Sequence, residues 1–256
     1  MFPLALGALA GIPVIDADGI GRAFPHLEMT TFSIGGCCAT PSVLVDDSGN
    51  TVIVDARPNR LVEDVVRGIA AALGAAIYGS FYPMTGQEMK RTAVRDTLTQ
   101  TYVIGRAIRL ARQAFSDPVE GLLAGLRSGD ASRKARLLFD GKIIDVTHET
   151  REGWHWGKAV LTAANGPARQ LVIEIQNEYV VARLDARTVA IVPDLISVVD
   201  RESAEPLTAE MLRYGQRVAV IGYGAPAQLR TPEALAVVGP RLFGLAEEFL
   251  PIEQLG

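Results

Sequence analysis

Cysteine is scarce in this chain: two residues in 256, and they are neighbours, Cys37 and Cys38. Adjacent cysteines make a structural disulfide framework implausible and fit a reducing compartment. An excess of positive charge is also missing. The 25 basic residues are outnumbered by 29 acidic ones, a net charge of −4, so overall charge does not drive nonspecific nucleic-acid binding. Internal repeats and low-complexity tracts are lacking too. Hydrophobic residues at 48% against charged ones at 21% give the balance of a folded chain. A chain this long buries about 70–75% of the surface it exposes when unfolded, so its stability needs no disulfide or metal staple. Fibre, disulfide scaffold and disordered tail are excluded.

Uncharged stretches are few, and neither of the two reads as a membrane segment. Met1 to Ile15 lacks the basic start of a secretory signal and contains Pro3 and Pro13. Gly68 to Gln87 is rich in Ala and Gly and is broken by Pro83, which suits a buried helix running into a buried strand. A soluble cytoplasmic protein is expected. Familiar catalytic signatures are missing as well: there is no GxxxxGK[ST], HExxH, GxSxG or CxxC. Gly222-Tyr223-Gly224 comes late and opens no helix, so a dinucleotide-binding reading is poor.

What is present divides near residue 130. Phe2 to Gly11 reads as the last turns of an apolar helix with Gly11 as its stop. Ile12 to Ile15 reads as a short buried strand, followed by the loop Asp16-Ala17-Asp18-Gly19. Val43–Val45 and Val52–Val54 form a hairpin around an Asp/Ser/Gly/Asn turn. Asn59 is expected to cap a helix with Glu63 and Asp64 in its first turns and an apolar stripe through Val62, Val65, Val66, Ile69 and Leu73. Ala76–Tyr82 returns as a strand. A second helix, Leu98 to Phe115, is capped by Thr97 or Asp96 and carries Arg106, Arg109 and Arg112 as a drifting basic stripe. That stripe is a solvated face or a contact for an anion. From Leu137 onward, short β-branched runs alternate with turn signals at Asp140-Gly141, Asn165-Gly166-Pro167 and Asp185-Ala186. The expected architecture is an α/β (α+β) amino-terminal domain, residues 1–130, followed by an all-β carboxy-terminal domain, residues 131–256. The boundary falls in Ser128-Gly129-Asp130-Ala131-Ser132.

The densest polar cluster runs from Asp16 to Met29 and holds Asp16, Asp18, Gly19, Gly21, Arg22, His26 and Glu28. Carboxylates two apart can share acid and base duties or bind a metal, and Arg22 can fix a carbonyl or carboxylate. The competing reading is that Asp-rich strand ends make turns and cap helices. Cys37 and Cys38 follow Gly35-Gly36; a small buried residue is the better reading than a nucleophile. His148 and His155 flank Arg151-Glu152-Gly153. A two-residue turn at Arg151-Glu152 sets them opposite one another. A three-residue loop ending at Gly153 instead pairs Glu149 with His155 and His148 with Trp156, which favours surface strand pairing over a two-histidine metal site. Gln176-Asn177-Glu178 between two apolar strands, and Asp194 after Pro193, are turn formers or ligand contacts.

The runs GIPVIDADGIGRAFPHLEM (Gly11–Met29), FDGKIIDVTHETREGWHWG, IEIQNEYVVA, PDLISVVD, LRYGQRVAVIG and VGPRLFG resemble the S-methyl-thiohydantoin desulfurase-like family, which is hydantoinase-related and includes many members of unknown function. The matches keep the family's order along nearly the whole chain. The resemblance implies an α/β domain followed by a β-rich domain. It also implies a further segment with a glycine-rich start ahead of the residues present here: either the chain is a shortened gene product, or a separate polypeptide or partner subunit supplies the missing strands. The implied chemistry is hydrolysis of hydantoin- or thiohydantoin-type cyclic imides or amides. The alternative is a non-catalytic accessory subunit, or a small-molecule binding partner, of a hydantoinase- or oxoprolinase-type enzyme. On this reading Asp16, Asp18, Arg22 and Glu28 are the candidate catalytic residues, and Gly21, His26, Asn177, Glu178 and Asp194 the substrate-binding ones; Pro25 is a further motif position. The cofactor is left open, a divalent metal such as zinc being the candidate. The expected partners are a small-molecule substrate and either further copies of the chain or a hydantoinase-type subunit, with no nucleic acid and no membrane.

Overall fold

A computed structural model describes residues 2–74, 76–129, 133–151 and 154–255. The first part holds α1 (Phe2–Ala10), β1 (Ala17–Asp18), α2 (Thr31–Ile34), β2 (Ser42–Val45), β3 (Thr51–Val54) and α3 (Asn59–Ala72). It continues with β4 (Tyr78–Ser80), α4 (Gly86–Thr92), β5 (Val94–Arg95), α5 (Thr97–Gln113) and α6 (Pro118–Gly129). Gly11, at φ +66°, ends α1 as expected, because the left-handed conformation there costs a glycine nothing. The buried strand expected at Ile12–Ile15 does not form. Ile12, Val14 and Ile15 are 63%, 38% and 59% exposed, since no facing surface among the described residues covers them. Pairing begins later, where Ala17 and Asp18 lie antiparallel to Arg95 and Val94.

The hairpin β2–β3 forms around Asp46, whose Oδ1 accepts the amides of Ser48 and Asn50 at 2.9 and 2.8 Å. With β4 it makes a three-stranded sheet in the order β3-β2-β4. Helix α3 packs Val62, Val65, Val66 and Ile69 on Leu44, Val54 and Tyr82. Asn59 does not cap this helix. Pro58 occupies the cap position, and the Asn59 carboxamide instead accepts from Ala39 N and donates to Cys37 O, both at 2.9 Å. Glu63 is buried rather than displayed at the helix start; it takes the Leu27 amide at 2.9 Å and pairs with Arg67. Cys37 is buried in the same apolar cluster.

The second part consists of β6 (Arg136–Arg151), β7 (Trp154–Ala163), β8 (Gln170–Gln176), β9 (Glu178–Leu184), β10 (Arg187–Ile191), β11 (Leu195–Asp200), β12 (Pro206–Leu207) and β13 (Arg217–Tyr223). Helix α7 (Pro232–Val238) follows. The strands form one eight-stranded antiparallel sheet in the order β10-β9-β8-β7-β6-β13-β11-β12. The sheet curls, so that β9 approaches β11 without forming a ladder with it. Ile143, Leu161, Leu171, Ile173, Val198 and Val220 fill the inside of the curl. The other face of β11 and β13 (Val199, Ala219, Ile221) packs on Val119, Leu122, Leu123 and Leu126 of α6. Burial on both faces explains why these strands read as continuous apolar runs. The sequence reading did not anticipate α6.

Two turn expectations are corrected here. Asp140-Gly141 lies inside β6, paired with Ala219 and Val218. A Cβ on Gly141 would stand 2.3 Å from Thr162 O and 2.5 Å from the Phe139 ring, so the glycine permits close strand approach. In the β6–β7 hairpin Arg151 pairs with Trp154, Glu149 with Trp156 and His148 with Gly157, which matches neither expected register. Glu152 and Gly153 of that turn lie outside the described residues, as do residues 130–132 of the expected domain boundary.

Candidate functional site

Asp16 and Asp18 leave the chain in different directions. The Asp16 Oδ1 accepts the Leu98 and Thr99 amides at 2.8 and 3.1 Å, and its Oδ2 accepts the Thr99 hydroxyl. It thus does for α5 what Asp96 cannot, because Asp96 sits in the left-handed region at φ +61° with no side-chain cap bond. The Thr99 hydroxyl and these amides hold the Asp16 carboxyl below its usual range. Asp18 turns back on its own chain, where its Oδ1 accepts the Ile20 and Gly21 amides at 2.9 and 2.7 Å. That tight turn places Gly21 at φ +63°, and a Cβ there would stand 2.6 Å from Pro226 Cγ. The turn delivers Arg22 to the gap between β9 and β11.

Arg22 bridges that gap. Its Nη1 donates to Asp194 O at 2.8 Å and Pro193 O at 3.4 Å, its Nη2 to Tyr179 O at 3.3 Å, and its Nε to Ala23 O at 3.0 Å. The guanidinium also lies 4.8 Å from the Phe24 ring centroid. Burial lowers its pKa to about 10, against the opposing pull of Glu178 and Asp194. Arg22, Asn177 and Glu178 line one cavity of about 320 Å³, together with Tyr179, Thr208 and Glu210. Burial pushes the Glu178 carboxyl above its usual range; Arg22 opposes the shift and Glu210 adds to it. Burial likewise raises the Tyr179 phenol, whose hydroxyl donates to Leu207 O at 2.8 Å. Asn177, at φ +56°, forms the tight β8–β9 turn and exchanges two 2.7 Å bonds with the His155 backbone.

The remaining residues singled out in the sequence lie elsewhere. Asp194 joins the site only through its carbonyl. Its carboxylate points the other way, accepting Ala225 N at 2.8 Å, Ile252 N at 2.7 Å and Arg230 Nη2 at 2.7 Å. Glu28 pairs with Arg60 at 3.2 Å. His26 Nδ1 stands 3.9 Å from Glu63 Oε1, and burial lowers its pKa against Glu28 and Glu63. Asp18 and Gly21 line a second cavity, of about 330 Å³, which shares Leu195, Ser197 and Pro206 with the first. Sequence reasoning missed Tyr179, although it sits inside a quoted motif, and Glu210. Burial pushes the Glu210 carboxyl up, but its own backbone, Thr208, His155 and His148 hold it below the usual range.

The two histidines meet after all, as diagonal neighbours across the hairpin. His148 Nδ1 is 2.9 Å from His155 Nε2 and the rings stack at 5.1 Å. Their outer nitrogens face Leu212 O at 3.1 Å and Glu210 Oε1 at 3.7 Å. Among the described residues no three His, Cys, Asp or Glu side chains come together so as to hold a metal ion. The donor set that a zinc-like metal needs is therefore not assembled by those residues. No helix among them is long and apolar enough to cross a membrane.

Comparison with known proteins adds three findings. No curated protein matches the sequence. A crystal structure of a protein from Chromobacterium violaceum superposes with a TM-score of 0.78 at 26% identity, covering 96% of this chain and 68% of that one. Residues 1–56 match the S-Me-THD-like N-terminal domain and residues 57–252 the S-Me-THD-like C-terminal domain. With nearly its whole length accounted for by those two domains, the chain belongs to the S-Me-THD-like family.

Proposed function

We propose that this protein hydrolyses hydantoin- or thiohydantoin-type cyclic imides or amides, with the ring held between Arg22 and Glu178. The observation that carries this reading is the pairing itself. A guanidinium of depressed pKa and a carboxyl of raised pKa line one cavity of about 320 Å³. Burial drives both shifts, the guanidinium's down and the carboxyl's up, so the two groups share a desolvated cavity of the kind in which functional groups are tuned. Arg22 is fixed by carbonyls of Ala23, Tyr179 and the Pro193–Asp194 pair, so its remaining Nη2 hydrogen is preorganised to meet a developing oxyanion.

The step runs as follows. The Glu178 carboxylate takes a proton from water as the water oxygen bonds to a ring carbonyl carbon, and the carbonyl electron pair moves onto the oxygen facing Arg22. Collapse of that oxyanion breaks the ring C–N bond, and Glu178 returns its proton to the departing nitrogen. Asp16 and Asp18 support the site from behind by holding α5 and the turn that aims Arg22. The test is turnover of hydantoin and S-methyl-thiohydantoin by the purified chain. Glu178→Gln should lower the rate about 100-fold or more, with the fold intact by circular dichroism. A variant as active as the parent overturns the assignment of Glu178.

One observation favours a second reading, that of an accessory subunit or binding partner in a hydantoinase- or oxoprolinase-type complex. Leu6 and Leu9 on α1, with Ile12 and Ile15 beyond it, are 59–85% exposed and form an apolar surface of the kind that contacts another protein. Under that reading the chain alone turns over neither substrate and gains activity only when mixed with such a subunit.

A further inference from the structure

The two histidines of the β6–β7 hairpin lead to the wall of the Arg22–Glu178 cavity. His148 Nε2 faces Leu212 O at 3.1 Å, His148 Nδ1 lies 2.9 Å from His155 Nε2, and His155 Nδ1 stands 3.7 Å from Glu210 Oε1. The Leu212 carbonyl and an ionised Glu210 carboxylate can only accept. A hydrogen bond at each outer nitrogen and one between the rings therefore take three protons on four nitrogens, and in that state the pair is a cation. His155 Nδ1 is closed off from solvent and has no hydrogen-bond partner among the described residues. The Glu210 side chain is 62% exposed, so a turn of that side chain closes the gap to the ring.

Glu210 is carried by the single helical turn Ala209–Met211 and lines the cavity together with Arg22 and Glu178. Glu178 feels the charges of both Arg22 and Glu210, whereas the charges acting on Arg22 are those of Glu178 and Asp194. Glu178 thus lies between the other two. Burial opposes the charge on Glu210, but its own backbone, Thr208, His155 and His148 keep it ionised. One end of the cavity only donates and the other only accepts. An uncharged ring that spans them needs a carbonyl for the guanidinium and an N–H for the far carboxylate. We propose that Glu210 accepts a ring N–H of the substrate and restricts the cavity to cyclic imides and amides with an unsubstituted ring nitrogen. His155 is the positioning residue that holds Glu210 in place. This role rests on the reading of the cavity as a hydantoin-type site.

The test is isothermal titration of the full chain with hydantoin and with 1,3-dimethylhydantoin, which lacks both ring N–H groups. Hydantoin should bind the parent at least about tenfold more tightly than the dimethyl analogue, the worth of a hydrogen bond to a charged group. Glu210→Ala should weaken hydantoin about tenfold and leave the dimethyl analogue unchanged. His155→Ala should weaken hydantoin in the parent and have no effect once Glu210 is replaced by alanine. In 15N NMR, Glu210→Ala should move the His155 ring nitrogens; nitrogens that stay put overturn the positioning role. If His155→Ala does not fold, Glu210→Ala decides the matter alone. An affinity gap that survives Glu210→Ala overturns the proposal, and so does a parent that binds neither ring. A gap closed by tighter binding of the dimethyl analogue marks a steric wall and overturns it as well. Binding without turnover sinks the hydrolytic reading alone, whereas turnover with an undiminished gap sinks only the role of Glu210.

Discussion

Asp194 and Arg230 form an ion pair at 2.7 Å in which the carboxylate has no exposure at all. Burial raises the Asp194 pKa, while the Ala225 and Ile252 amides and Arg230 work against that rise. This group anchors β11 to the chain after β13 and to the carboxy-terminal segment, and its carbonyl in turn holds Arg22. Truncating one partner of such a pair strands the other charge. Asp194→Ala should therefore cost about 3–5 kcal/mol in urea denaturation, far more than a residue that only contacts ligand would.

Asp16 gives a prediction about a helix start rather than a reaction. Asp16→Ala frees the Leu98 and Thr99 amides, so hydrogen exchange at those two positions should accelerate while the centre of α5 stays protected. The pH dependence has a definite sign. A carboxyl with a lowered folded-state pKa adds stability above its ordinary unfolded value of 3.8 and loses it as pH falls through the lowered value. The stability difference between parent and variant should thus be constant at neutral pH and vanish in strong acid.

The pattern of what the sequence disclosed follows from what each signal measures. Alternation and turn residues report local geometry, so the β-rich half was legible nearly strand by strand. Asp140-Gly141 misled because the same dipeptide serves a turn or a tight strand crossing, and only the Thr162 carbonyl opposite distinguishes them. Ile12–Ile15 misled because apolar residues reveal a preference for burial, not the presence of a surface to be buried against. At the site, Arg22, Asn177 and Glu178 were visible as polar residues in unusual places. That Asp16 reaches α5, or that Glu210 completes the cavity wall, depends on contacts between residues far apart in the chain.

Gly21 is a sharp test of the turn that aims Arg22. Alanine there meets both a positive φ and the Pro226 ring at 2.6 Å. Gly21→Ala should destabilise the fold by roughly 2 kcal/mol. It should also weaken any ligand response at the Arg22 cavity, as read by thermal shift against the parent.

Leu9, 85% exposed on α1, gives the opposite expectation. Leu9→Glu should leave the unfolding free energy of the chain within about 0.5 kcal/mol, as for an ordinary surface change. A large loss would mean that α1 is covered in solution by this chain's own residues or by a second copy, and sedimentation at two concentrations would separate those cases.

Glu178 sets stability against function. Its carboxyl is held above the ordinary value of 4.5 by burial, with Glu210 adding to the shift and Arg22 restraining it. In the folded state it therefore keeps its proton to higher pH than in the unfolded chain. Between the two pKa values the native state binds more protons, and stability contributed by this residue falls as pH rises through that window. Above the raised value the destabilisation is complete. Glu178→Gln removes the charge that burial penalises. The variant should match the parent in urea denaturation below pH 4.5 and exceed it at pH 8, where its turnover should also be about 100-fold or more below the parent's. Equal stability at both pH values would show that Arg22 fully compensates the buried carboxylate, and the residue would then lose its standing as a tuned acid–base group.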